Sequence, residues 1–140
     1  MKMKSLLLSL ALGLIGSAAF AADFIPQNNS EFLNAPPVVL QVSPTPGDAQ
    51  VDPNLKEITV TFNRDMQTDR MWSVVRTSVE TFPEVGTPRF TDKRTFALPV
   101  SLQPGRTYIL WFNKGNYNNF RGVNGAPAVD YLLVFQTKRN

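Results

Sequence analysis

Residues 43–66 constrain the rest of the chain. They read Ser-Pro-Thr-Pro-Gly-Asp-Ala-Gln-Val-Asp-Pro-Asn-Leu-Lys-Glu-Ile-Thr-Val-Thr-Phe-Asn-Arg-Asp-Met. Pro44 and Pro46 fix φ, while Gly47-Asp48 and Asp52-Pro53-Asn54 are residues that favour tight turns. Beyond them Ile58, Val60 and Phe62 alternate with Lys56, Thr59 and Thr61, the two-residue period of a strand with one buried face. A stiff turn run feeding a half-buried strand is how an antiparallel sandwich opens.

The stretch resembles the opening of bacterial Ig-like domains of the S-layer (SbsA-like) type. There a Ser-Pro-x-x-Gly segment, a Val-x-Pro-Asn step and an Ile-Thr-Val-x-Phe strand lead to an acidic-Met pair, here Asp65-Met66. Two later motifs carry the same resemblance. Leu102-Gln103-Pro104-Gly105-Arg106-Thr107-Tyr108 is similar to the family's Leu-x-Pro-Gly-x-x-Tyr corner, and Phe135-Gln136-Thr137 to its Phe-x-Thr finish. The resemblance implies a tyrosine corner, with the Tyr108 hydroxyl bonding back to the turn. It implies an all-β fold, an Ig-like antiparallel β-sandwich of about seven strands in Greek-key order. It also implies a spacer, adhesion or accessory role in the bacterial envelope, without catalysis.

The N-terminus is set apart from the fold. Lys2 and Lys4 precede an apolar run, Leu6 to Ile15, and then Ser17-Ala18-Ala19-Phe20-Ala21. This is the pattern of a secretory signal peptide, residues 1–21, too short for a permanent bilayer span. Cleavage is expected after Ala21, which places the protein in the periplasm or outside the cell with no membrane anchor. Residues 22–37 read as an extended arm or linker closed by Pro36-Pro37, and residues 38–138 as the sandwich. Removing Lys2 and Lys4 leaves 12 basic against 11 acidic residues, a net charge of +1. That is no electrostatic footprint for nucleic acid. The 140 residues contain no cysteine, which excludes disulfides and a lipidated cysteine.

Strands are expected at 38–42, 55–62, 71–76, 89–91, 95–100, 108–112 and 131–137. Residues 78–88 read as a loop. Pro99, which has no N–H to give, is expected at a bulge or strand end. In the third strand either Trp72 and Val74 or Met71 and Val75 point inward; a tryptophan buried on this strand suits an Ig-like sandwich.

Catalysis has few residues to draw on. Without His or Cys, imidazole-based triads, cysteine nucleophiles and the usual zinc sites are excluded. A carboxylate-based glycoside hydrolase would need a pair from Asp65, Asp69, Glu80 and Glu84, acids that read more simply as solvated loop charges. Asp48, Asp52 and Asp65 lack the spacing of a calcium cage. Where the family often has an Asp-x-x-Gly-Asn turn, this chain has Gly122-Val123-Asn124-Gly125-Ala126, without the aspartate. The chain is expected to be no enzyme and to carry no cofactor.

Two features suggest binding. If Tyr108, Leu110, Phe112, Tyr131, Leu133 and Phe135 face the core, then Ile109, Trp111, Leu132 and Val134 form an apolar cluster on the outer face of the last hairpin. Either the arm (Phe24, Ile25, Phe32, Leu33) or the long loop covers that cluster, or an envelope protein partner or a second copy does. The loop, residues 113–129, offers Tyr117 and Phe120 as flat faces and Asn118 with its neighbouring amides as hydrogen-bonding groups, a set suited to carbohydrate. Alternatively, Tyr117 and Phe120 pin the loop to the end of the sandwich.

Overall fold

The alternating pattern around Ile58 forms the middle of a two-layer sandwich. The computed structural model describes residues 29–140, in the order α1 (Asn29–Asn34), β1 (Val39–Ser43), β2 (Glu57–Phe62), β3 (Val74–Arg76), β4 (Glu84–Val85), β5 (Arg89–Phe90), β6 (Thr95–Ser101), β7 (Thr107–Phe112) and β8 (Tyr131–Gln136). One sheet has the order β1-β2-β6-β4, with β5 also paired to β6; the other is β3-β7-β8, and every pairing is antiparallel. The chain changes sheet between β2 and β3, between β3 and β4 and between β6 and β7, which is Greek-key connectivity of the Ig-like kind.

Strand parity follows the sequence. Ile58, Val60 and Phe62 of β2, Phe96, Leu98 and Val100 of β6, Tyr108, Leu110 and Phe112 of β7, and Leu133 and Phe135 of β8 are all buried. Val74 faces Phe112 across the β3–β7 ladder, and Trp72 packs on Phe96 with ring centroids 5.8 Å apart, so the Trp72 and Val74 side of that segment is the inner one. Burying a Phe- or Leu-sized side chain contributes roughly 1.5–3 kcal/mol. With no disulfide among the described residues, this core holds the layers together.

The stretch that opens the fold also ties the layers to each other. After β1 pairs with β2, the turn run crosses to the far edge of the other sheet. There Gly47 N–H donates to Val134 O (2.7 Å), Gln136 N–H to Asp48 O (2.8 Å) and Val51 N–H to Gln136 O (3.1 Å). The Asp48 and Asp52 carboxylates accept from the backbone N–H groups of Gln50 and Asn54, at 2.8 and 2.9 Å. They are turn residues in the Asx sense.

The corner and the C-terminal finish lock together. Gln103 N–H donates to the Tyr108 hydroxyl at 2.8 Å, the backward bond of a tyrosine corner. The Thr137 hydroxyl donates to Gln103 O and accepts from Arg106 N–H, so the last residue of the Phe-x-Thr motif is held by the Leu-x-Pro-Gly-x-x-Tyr motif. Gly105 has φ +65°, and a Cβ there would lie 3.2 Å from Arg139 Cγ. Only glycine suits that position.

Several expectations need correction. There are eight strands, because the segment 78–88, expected as a loop, contains β4. β4 and β5 are two short pieces along one flank of β6, and Pro99 lies at the break between them, inside β6 instead of at its end. Gly86 N–H donates to Pro99 O (2.9 Å), so the proline nitrogen faces this flank with no hydrogen to give, and the ladder is interrupted there. β3 is shorter than residues 71–76, starting only at Val74. Residues 29–34, read as extended, form α1, whose end is held by Arg64 donating to Phe32 O and Leu33 O and by Asn124 donating to Leu33 O. The expected signal peptide, with Phe24 and Ile25, lies outside the described residues.

Candidate functional site

The outer face of the β3-β7-β8 sheet is built by register. Ile109 stands opposite Val134, and Trp111 lies between Leu132 on β8 and Val75 on β3. Each is the outward neighbour of a core residue, so the period of two that fills the interior also places these five side chains on one exterior surface. Leu132 is 41 % exposed, and Ile109, Trp111, Val134 and Val75 are half-buried. Lys114, two residues beyond β7, places its ammonium 4.7 Å from the Trp111 ring centroid, a cation–π contact. The long loop thus covers part of the cluster through Lys114. The described part of the arm takes another course, to Arg64, Asn124 and Val129, whose N–H donates to Pro37 O at 2.9 Å.

The loop between β7 and β8 is organised by Asn113. This residue has φ +59° and no solvent exposure. Its side-chain NH₂ donates to Phe120 O and Ala128 O, both at 3.0 Å, and its Oδ1 accepts from Phe120 N–H at 2.9 Å. Its own N–H donates to Ser73 O. Asparagine tolerates the left-handed region and brings both donor and acceptor, so one buried side chain gathers three backbone groups from two loop residues. Sequence reading missed this residue; the signal was an Asn directly after a strand and two residues before a Gly.

Of the residues considered for carbohydrate, Phe120 is 1 % exposed and packs within 4.8 Å of Phe96, 5.4 Å of Phe62 and 6.0 Å of Phe112, centroid to centroid. It pins the loop and offers no face to a sugar. Tyr117 is 67 % exposed at the base of a tight turn through Gly115-Asn116, closed by its paired backbone bonds with Lys114. Asn118 accepts from the Arg121 guanidinium at 2.7 Å, and Asn119 N–H donates to Ser73 Oγ. The structure therefore brings Ile109, Trp111, Leu132 and Val134 together, leaves Tyr117 exposed and apart from them, and withdraws Phe120.

The carboxylates are dispersed. Asp65 accepts from Arg94 Nε at 2.8 Å, and chiefly that bond holds its pKa below the ordinary value. The Glu80 carboxyl is also lowered, first by its own backbone N–H and then by Ser78. Asp65 and Asp69 follow β2, whereas Glu80 and Glu84 lie near Arg106 and Ser101, at the opposite end of the sandwich. Among the described residues no group of three or more His, Cys, Asp or Glu converges on one point. Nor is any helix there long and apolar enough to cross a membrane.

No curated protein matches the chain. The sequence model of the family described as bacterial Ig-like domain matches residues 34–137, a span that begins in α1 and ends at the Thr137 hydroxyl holding the corner. Sheet order, tyrosine corner and this match agree, and the chain belongs to the bacterial Ig-like domain family.

Proposed function

We propose that this protein is a non-catalytic, exported module of the bacterial envelope, and that the outer face of β3-β7-β8 docks a protein partner. The observation that carries the reading is the cross-strand pairing of Ile109 with Val134 and of Trp111 with Leu132 on a face turned to solvent. A sheet facing water normally presents polar side chains there, as β2 does with Thr59 and Thr61. Contiguous apolar surface on the scale of a few hundred Å² marks contact surfaces. Lys114 over Trp111 and Asp130, which accepts from Gly115 N–H at 2.9 Å, supply a charged rim. The Ser43–Met66 opening and the two C-terminal motifs favour the S-layer type within the family, and the signal pattern favours the periplasm or the cell exterior.

Site-directed photo-cross-linking in the native envelope tests this. A photoreactive residue at position 132 should capture a discrete partner, while one at position 59, on the outer face of the other sheet, should not. Trp111→Ala should abolish the capture without unfolding the protein. Equal capture at both positions, or a Trp111→Ala variant with undiminished capture, would remove the reading. Carbohydrate binding rests on Tyr117 alone, since Phe120 is in the core and Asn118 is engaged by Arg121.

A further inference from the structure

On one flank the two layers do not close. β3 ends the smaller sheet there, and β4 and β5 form the border of the larger one. Between them lies a cleft of about 360 Å³ lined by Trp72, Val74, Phe82, Val85, Pro88 and Leu98, with Tyr117 at its rim. Its walls are aromatic and aliphatic, and its size falls within the roughly 300–1,000 Å³ typical of binding pockets. A second hollow of about 150 Å³ begins at Phe82 and Glu84 and carries Gln103 and Arg106. The two share Phe82, so an apolar trough continues into a polar one along β4.

The backbone beside the trough is unpaired. Asn113 N–H donates to Ser73 O, so Ser73 points its polar groups at β7, and Val75, opposite Trp111, does the same. Alternation then turns the N–H and C=O of Val74 and Arg76 away from β7, onto the open flank. Among the described residues no backbone group takes them up. An edge with free main-chain groups beside an apolar trough supplies both requirements of strand addition: hydrogen bonds for the added backbone and room for its alternate side chains. A small apolar molecule would fill the trough and leave the edge unsatisfied, and a flat partner surface would reach neither.

We propose that this flank receives an extended peptide segment, which adds as a strand beside β3 and turns alternate Leu-, Val- or Phe-type side chains into the cleft. Where the segment passes Phe82, Glu84 and Arg106 favour a polar residue over an apolar one. The site goes beyond the outer-face reading and shares only Val75 with it, so either can fail without the other.

The test is an NMR titration of the ¹⁵N-labelled mature chain with acetylated, amidated peptides. Each alternates Thr with Leu, Val, Phe or Trp between flanking lysines. Binding should shift the Val74 and Arg76 amide signals and slow their hydrogen exchange. Serine at the inward peptide positions, or Val85→Asp in the protein, should weaken binding by about tenfold or more. Val85 is 41 % exposed, so that variant retains the core, and its unchanged Leu110 and Leu133 signals verify this. Absence of any shift at Val74 and Arg76 across the series up to about 1 mM, a concentration corresponding to about 4 kcal/mol of binding, overturns the proposal. So do cleft shifts without slowed exchange, which would indicate a pocket for small apolar molecules. Light scattering that shows two copies joined through this flank overturns it equally.

Discussion

Asn113 shows how much one polar side chain can organise. Three side-chain hydrogen bonds and a left-handed backbone coincide where solvent does not reach. Glycine at this position keeps the backbone unstrained but strands Phe120 N–H and the Ala128 carbonyl, and takes from the Phe120 carbonyl one of its two donors, leaving it Ala128 N–H. Asn113→Gly is therefore expected to lower the unfolding free energy by about 2–4 kcal/mol, and Asn113→Ala by about 1 kcal/mol more, because alanine adds a Cβ in the left-handed region. Urea midpoints at constant slope measure both. Within the same loop, Phe120→Ala should cost about 3–5 kcal/mol, and Tyr117→Ala no more than about 0.5 kcal/mol. Similar costs at the two positions would contradict the assignment of one ring to the core and the other to solvent. Both aromatics sit three residues apart in one irregular loop, where no strand period tells inside from outside. That is why sequence left them undivided.

At the scale of elements, connections depend on a few surface contacts as well as on the core. Arg94, just before β6, reaches Asp65 after β2, and Asp65 O accepts from Val123 N–H in the long loop, so three connections meet at one end of the sandwich. The Asp65 carboxyl is held below its usual pKa chiefly by the Arg94 bond. A depressed folded pKa contributes stability that is present above the unfolded value, near about 3.9 for an aspartate, and is lost as the pH falls through the folded value. Asp65→Asn should accordingly lower Tm at neutral pH by a small amount that vanishes in acid and shrinks with added salt, because both side chains are solvent-exposed. A gap that persisted below the folded pKa would mean that the contact is not ionic. Elements were legible where the pattern is regular: the parities of β2, β7 and β8 and the corner at Pro104-Gly105 all follow from period and turn chemistry. β4 was not, since two exposed residues, Glu84 and Val85, carry no alternation and pair only because β6 offers them an edge. α1 was not either; a single turn and a half with exposed Phe32 and Leu33 has no buried face to announce it.

For the whole molecule, the two layers divide every strand of the smaller sheet into an inner and an outer set. Leu132 and Leu133 are neighbours of identical chemistry on opposite sides of that division. Leu133 has no solvent exposure and faces the core, whereas Leu132 is 41 % exposed beside Trp111. Leu133→Thr leaves a void and a hydroxyl in the apolar interior, an expected loss of about 3 kcal/mol or more. Leu132→Thr replaces an exposed side chain with the kind that β2 presents on its own outer face, and should cost no more than about 1 kcal/mol of monomer stability. The order reverses in a binding assay. Cross-linking from a neighbouring outer position such as 134 should fail in Leu132→Thr and survive in any stable inner-face variant, because only the outer set is available to a partner. A large folding penalty at Leu132 would instead mean that this surface is sealed within the monomer. The apolar pairs on β7 and β8 would then belong to a third layer of the fold, and the docking surface would have to be sought on the open β3–β4 flank.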